Sequence, residues 1–369
     1  MARPPGVDVG SGLLLGALRP RARVPVMLTG TAPRHAPAPG VPAAARILLV
    51  RIDRLGDLLT STPVIRALRQ TYPQARIDLL ASDRNVKAVQ DNPHLDSRWV
   101  LPLKGYWHWP LLATRLRWQR YDWAVDLNPS YSRTSGFFVR ASGAARRVAL
   151  RKKQVHHYFT EVVDQAPDQH MIARQLAVAR VLGAGQAATP SMEYHVGEAV
   201  RRRVHARFAP EERTSRICVF IGNAKKVQTR WPEDKFAELC ARLVAETPAT
   251  VFVLAGPADQ GLLSAFEGRW SERLRLFDGT SLEEDAAFLE VCSLLVTSSS
   301  GPMHVAGAVG TPTVSILAGH TYDCWRPLGE EHRTVHSGLP GVEVRPVPVE
   351  DVFQTVQTHF RELRGEGGV

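Results

Sequence analysis

Ser299-Ser300-Gly301-Pro302-Met303-His304 follows the apolar run Leu289 to Val296 and leads into the small-residue helical stretch Val305 to Val309. A strand that empties into such a turn presents backbone N–H groups with no partner inside the helix. The positive end of the helix dipole stands behind them, so the turn is a ready site for a phosphate. Two hydroxyls and one imidazole add donors beside it, and the stretch reads as a diphosphate cradle at a strand-to-helix turn.

Working outward, the same alternation recurs from Arg46 onward. Ile47-Leu48-Leu49-Val50 reads as a strand, Thr60 to Thr71 as a helix and Ile77-Asp78-Leu79-Leu80 as the next strand. Further strands are expected at Trp123 to Leu127, Ile217 to Ile221, Val251 to Leu254, Leu294 to Val296 and Thr313 to Leu317. Between the two groups, Met171 to Leu182 reads as a helix stopped by Gly183, and the polar stretch Ala184 to Pro190 precedes a charged segment through Arg216. The pattern predicts two doubly wound sheets whose domains meet near residues 185–215. We place the N-terminal domain at 46–195 and the C-terminal one at 196–369. In such sheets ligands bind beyond the carboxyl ends of the strands, so paired sheets set both groups of loops around one cleft.

Composition narrows the class. The 369 residues suit two domains of ordinary size, and 44% hydrophobic with 22% charged residues is the make-up of a globular protein. No uninterrupted apolar segment reaches the roughly 18 residues that span a bilayer. Residues 1–45 are rich in Ala, Pro, Gly and Arg and are expected to form a disordered extension. An export signal is disfavoured there, because Leu13-Leu14-Leu15 precedes Arg19, Arg21 and Arg23 where a signal puts its charges first. Cys218, Cys240, Cys292 and Cys324 are too scattered for metal-ligand pairs and too few for a disulfide framework, which fits a reducing cytoplasm. The net charge of +10 favours anionic partners, among them nucleotide sugars, phosphorylated glycans, an acidic membrane surface and nucleic acid.

Three strand-to-helix loops hold the chemistry. In Arg51-Ile52-Asp53-Arg54-Leu55-Gly56-Asp57, Gly56 permits close backbone approach. Asp57 is open to two readings, an N-cap for the following helix or a general base in the cleft. Asp53 pairs with Asp57 or neutralises Arg51 or Arg54. In the second loop Lys225, Lys226 and Arg230 are either a solvated cluster or phosphate ligands, with Trp231 beneath the ligand or stacked on a base. In the third, Gly256-Pro257-Ala258-Asp259, Asp259 either accepts from ribose hydroxyls or closes a turn.

Taken together these residues resemble glycosyltransferase family 9, the heptosyltransferases. The resemblance rests on Ile47-Leu48-Leu49-Val50 with Leu55-Gly56-Asp57, on Arg230-Trp231-Pro232 with Phe236-Ala237-Glu238-Leu239, and on Ser300-Gly301-Pro302-Met303-His304-Val305-Ala306 with Gly310-Thr311-Pro312-Thr313-Val314. It covers about residues 46–355 and implies a GT-B fold of two Rossmann-like domains facing an interdomain cleft. It further implies an inverting, metal-independent transfer in which Asp57 takes the proton of the acceptor hydroxyl. The leaving nucleoside diphosphate is held by a helix N-terminus and basic side chains. On this footing Gly56, Lys226, Arg230, Asp259, Ser299, Ser300, Gly301 and His304 are the expected donor-binding residues. No metal and no cofactor beyond the nucleotide-sugar donor is expected.

The chain departs from the family at Ser299, where an acid is usual, and at Thr229, where a lysine is usual. A neutral serine offers sugar hydroxyls no charged acceptor. The departures point to a nucleotide sugar other than ADP-heptose as donor, within a heptose or related sugar overall, with Lys225 or Lys226 standing in for the lysine.

The glycan or glycolipid acceptor is expected on the first domain, around Lys104 to Trp109 and the arginines 115, 117 and 120. Trp107, Trp109 and Arg115 are its candidate contacts. Arg146, Arg147, Arg151, Lys152 and Lys153 form a second basic run, read as a solvated face that an anionic membrane would attract. A nucleic-acid-binding protein lacks any zinc-finger, basic-zipper or RNA-recognition signature here, and none is expected as a partner. A catalytically silent nucleotide-sugar binder keeps the cradle and differs only in turnover. Nicotinamide-dependent and P-loop readings lack their glycine-rich turns.

Overall fold

The computed structural model describes residues 44–152, 156–166, 169–185, 188–208, 215–223, 227–279, 281–338, 341 and 343–366. The first half runs β1 (Arg46–Arg51), α1 (Leu55–Leu59), α2 (Thr62–Thr71), β2 (Arg76–Ser82), β3 (Ser97–Leu101), α3 (Trp109–Trp118), β4 (Trp123–Asp126), α4 (Arg133–Ala141), β5 (Arg146–Leu150), β6 (Glu161–Val163) and α5 (Met171–Val181). The second runs α6 (Glu198–His205), β7 (Arg216–Phe220), α7 (Glu233–Glu246), β8 (Thr250–Leu254), β9 (Leu274–Leu276), α8 (Leu282–Glu290), β10 (Leu294–Ser298), α9 (Gly301–Val309), β11 (Thr313–Leu317), α10 (Gly319–Trp325), β12 (His332–His336) and α11 (Val349–Leu363). The expected extension at 1–45 falls outside the described residues, apart from its last two.

Each half builds one six-stranded sheet, ordered β3-β2-β1-β4-β5-β6 and β12-β11-β10-β7-β8-β9. Every pairing within the two sheets is parallel. Parallel strands covered on both faces must be apolar throughout, which is why the uninterrupted runs at β1, β7, β8 and β11 form them. Read from its own first strand, each sheet has the doubly wound order 3-2-1-4-5-6. The order reverses between β1 and β4 in the first sheet and between β7 and β10 in the second, where outgoing chains diverge and open a crevice.

One apolar cluster joins the halves. It combines Leu49, Leu58, Val64 and Leu79 with Phe288, Leu289, Val305 and Ala306. The segment connecting α5 to α6 is stitched to both sides. Glu193 N–H donates to Thr62 Oγ1 at 3.0 Å, and Tyr194 N–H donates to the Ala308 carbonyl at 3.2 Å. Glu193 lies 2.9 Å from Arg66 Nη1; burial pushes its carboxyl up, but His195 and Arg66 outweigh that and hold it down at about 2. At the other seam, the His170 ring at the start of α5 places Nε2 2.9 Å from the Arg326 carbonyl and accepts the Ile172 N–H on Nδ1. Burial lowers its pKa to about 4, so at neutral pH the ring is a neutral donor bridging the halves.

Several element boundaries differ from expectation. The helix expected at Thr60–Thr71 begins at Thr62 as α2, and the short α1 precedes it, because the Thr60 and Ser61 hydroxyls turn back onto the Asp57 carbonyl at 2.8 and 3.3 Å and separate the two. Leu289 lies in the last turn of α8 rather than beginning a strand, and α9 starts at Gly301, four residues before the small-residue stretch.

Candidate active site

The loops that matter leave the four strands at the two switch points. After β1 the chain turns through Ile52 and Asp53, and α1 begins with Arg54 as its N-cap. Asp57 is therefore the third helical residue and not the cap itself. Its Oδ2 accepts the Arg54 N–H at 3.2 Å, and 19% of its side chain stays open to solvent. The carboxylate thus satisfies one orphan donor of the first turn while facing outward, so the capping and catalytic readings of Asp57 describe one position.

Gly56 is required by what lies opposite. A Cβ there would sit 2.5 Å from Cδ2 of His304, so the backbone of α1 touches the imidazole in the first turn of α9. The ring is buried and meets Trp325 edge-on at 6.1 Å. This contact brings the first turn of α1, with Asp57, against the first turn of α9.

At α9 the N-cap is Ser300 in extended conformation, with Gly301 and Pro302 following. The Ser300 hydroxyl does not cap the helix; it lies 2.9 Å from Thr297 Oγ1. Because Pro302 has no N–H, the intrahelical pattern leaves the Ser300, Gly301 and Met303 amides without a helical acceptor. A Cβ at Gly301 would meet nothing within 4 Å, so the space in front of this helix end is open. The stretch predicted as a cradle, Ser299 to His304, is thus the end of the β10 loop and the first turn of α9.

The β7 loop braces it. Asn223 donates from Nδ2 to Thr229 Oγ1 at 3.0 Å and to the Ser299 carbonyl at 2.9 Å, tying together the two positions where the chain departs from the family pattern. Sequence reading passed over Asn223; its place directly after a buried strand was the available signal. Asp259 is buried and accepts the Asn223 N–H at 3.1 Å, with Oδ2 so near Gly222 that a Cβ there would be 2.2 Å away. The expected ribose acceptor is thus turned inward to hold the donor loop. Trp231 is fully buried, its amide bonded to Ser298 Oγ and its indole N–H to the Val347 carbonyl, both at 2.9 Å. It packs beneath the site and is not available to stack on a base. Arg230 lies at the edge of the site, 3.4 Å from Glu233. Lys225 and Lys226 lie outside the described residues.

On the first sheet a buried polar network underlies Asp57. Asn128 accepts the Ile52 N–H at 3.3 Å and donates to Asp126 at 2.6 Å, and Lys152 Nζ meets Asp126 Oδ2 at 2.6 Å with both side chains buried. Lys152 therefore leaves the basic run that was read as a solvated face and turns into the core. The expected acceptor contacts divide. Trp107 is 78% exposed and Arg115 is exposed on α3. Trp109 is a packing residue, with its indole N–H on the Pro102 carbonyl at 3.1 Å and its ring 5.6 Å from Phe138. Among the described residues no three His, Cys, Asp or Glu side chains are grouped to hold a metal ion.

Comparison with known proteins gives concordant matches. Residues 110–344 match the family model described as glycosyltransferase family 9 (heptosyltransferase). The chain is 24% identical over 292 residues to lipopolysaccharide heptosyltransferase 3 of Escherichia coli, covering 74% of this chain and 83% of that protein. It is 27% identical over 311 residues to lipopolysaccharide heptosyltransferase 2 of Salmonella typhimurium, covering 79% and 87%. The solved structure of E. coli ADP-heptose lipopolysaccharide heptosyltransferase II superposes with a TM-score of 0.71 at 21% identity, over 86% of this chain and 99% of that one.

Proposed function

This chain belongs to glycosyltransferase family 9, and from that membership we propose that it transfers a heptose or closely related sugar from a nucleoside-diphosphate donor, by preference an ADP-sugar, to a lipopolysaccharide-core acceptor. The sugar, the nucleotide and the acceptor come from the names of its relatives. The observation that supports the mechanism is the contact of Gly56 with His304, which brings the first turn of α1, the turn that carries Asp57, against the first turn of α9.

In this reading the donor diphosphate lies on the Ser300, Gly301 and Met303 amides, with the α9 dipole and Arg230 opposing its charge. Asp57 accepts the proton of the acceptor hydroxyl as that oxygen attacks the anomeric carbon from the face opposite the diphosphate. The C–O bond to the diphosphate breaks with inversion, and the nucleoside diphosphate departs with the bonding pair. The helix end and the arginine take the place that a divalent cation fills elsewhere.

Thermal denaturation with ADP, GDP, UDP and dTDP tests the cradle, since a ligand that binds only the folded state raises the midpoint. ADP at a hundredfold excess over its dissociation constant adds about 2.7 kcal/mol of stability, and the shift persists in EDTA. No shift with any of the four diphosphates contradicts the cradle.

A lipid-linked acceptor also calls for a surface that meets the bilayer, and we place it on α3. Leu111, Arg115 and Trp118 recur at helical spacing on one exposed face, with Trp107 just before them, and residues 97–121 contain no acidic side chain. Aromatic rings beside cations suit an anionic interface. The protein is expected to co-sediment with vesicles of phosphatidylethanolamine and phosphatidylglycerol and to lose this with Trp107→Ala/Trp118→Ala. Equal sedimentation of that variant removes α3 from the interface.

A further inference from the structure

Arg51 closes β1 with a side chain wholly withdrawn from solvent. A buried guanidinium needs partners on every arm. Nη1 donates to the Leu127 carbonyl, Nε lies 2.9 Å from Asp53 Oδ1, and Nη2 lies 3.9 Å from Asp57 Oδ1. Neither Nε nor Nη2 attains hydrogen-bond geometry, and Asp53 Oδ1 is equally buried without a donor. One cation, fixed to the end of β4 by a carbonyl, is thus divided between two carboxylates four residues apart, and neither holds it fully.

We propose that Arg51 is a positioning residue that holds the Asp57 carboxylate aimed into the cleft, and that Asp53 competes for the same guanidinium. The proposal rests on the reading of Asp57 as the base. Arg51 Nη2 faces Asp57 from β1, His304 of α9 lies against the neighbouring Gly56, and the charges acting on Asp53 are Arg51, Asp57 and Asp126 at the end of β4. Burial raises the Asp53 carboxyl to about 6; Arg51 draws it down while Asp57 and Asp126 push it up. As pH falls and Asp53 takes up a proton, its claim on the Arg51 guanidinium weakens.

The variants push the Asp57 titration in opposite directions, which a purely structural role does not do. Carboxyl carbon NMR of ¹³C-aspartate-labelled protein reads Asp57 directly, assigned by the signal missing in Asp57→Asn. Arg51→Gln raises the Asp57 midpoint by about one pH unit or more, because an opposing charge is lost. Arg51→Lys restores part of it, and Asp53→Asn lowers it, because a like charge is lost. With ADP-heptose and heptose-deficient lipopolysaccharide core as probes, Arg51→Gln lowers kcat by roughly tenfold to a hundredfold with KM unchanged.

Asp53→Asn is an isostere at a position with 30% of its side chain exposed, so it keeps the test open where Arg51→Gln fails to fold. An unmoved Asp57 midpoint in Asp53→Asn, or movement in the same direction in both variants, overturns the proposal. Full turnover by Asp57→Asn overturns the base reading instead, while the NMR titration still decides whether Arg51 holds Asp57.

Discussion

Asp57→Asn lowers kcat by a factor of about 10² to 10⁴, the range that a positioned proton acceptor contributes. The amide keeps the shape of the side chain and its oxygen still accepts the Arg54 N–H, so α1 retains its first turn. What disappears is the basic lone pair that takes the acceptor proton. In the proposed reading the diphosphate lies on α9 and not on α1, so the dissociation constant for ADP is expected to stay within about twofold of the parent, well under the 1.4 kcal/mol that marks a tenfold change. Calorimetry with ADP together with steady-state transfer rates separates these two effects. Loss of ADP binding in parallel with loss of turnover places Asp57 in the donor site and removes it as the base.

Lys152→Met costs about 3–5 kcal/mol of stability, because it strands a buried carboxylate. Asp126 sits at the end of β4 with its side chain wholly enclosed, and Lys152 supplies a cation at 2.6 Å. The Ser135 hydroxyl at 2.7 Å and the Asn128 amide remain as neutral donors, which do not replace a full charge in a low-dielectric site. For domains of this size each kcal/mol moves the melting midpoint by roughly 2–4 °C, so a fall of about 10 °C is expected in thermal denaturation. Adding Asp126→Asn to Lys152→Met recovers much of the loss, since the uncompensated charge is then gone. A single variant that melts with the parent shows that Lys152 is solvated after all.

The strands buried on both faces were legible because burial forces unbroken apolar runs, as in Ile47–Val50, Val251–Leu254 and Thr313–Leu317. β3, β5 and β12 were not. β3 reads Ser-Arg-Trp-Val-Leu, β5 begins Arg146-Arg147 and β12 reads His-Arg-Thr-Val-His, each with half-exposed positions where solvent accepts polar side chains. Of the candidate donor residues, Arg230, Asp259, Ser299 and Ser300 lie in loops that follow strands, whereas Gly56 falls in the first turn of α1 and Gly301 and His304 in the first turn of α9. The partners of each side chain were illegible wherever they are distant in sequence. Arg51 reaches a carbonyl 76 positions away, and Asp259 turns inward to an amide 36 positions back. Lys152 was indistinguishable from its exposed neighbour Arg151 until the fold set it beside Asp126. Trp109, likewise, sits in an exposed-looking aromatic run, and only the Pro102 carbonyl and Phe138 separate it from Trp107.

The most direct measurement is transfer itself: purified protein incubated in EDTA with ADP-heptose and heptose-deficient lipopolysaccharide core, with ADP release followed and the new anomeric centre read by NMR. The account predicts ADP release that depends on the acceptor, a product whose anomeric configuration is opposite to that of the donor, and loss of both with Asp57→Asn. A product that retains the donor configuration, or an absolute need for a divalent cation, would contradict it.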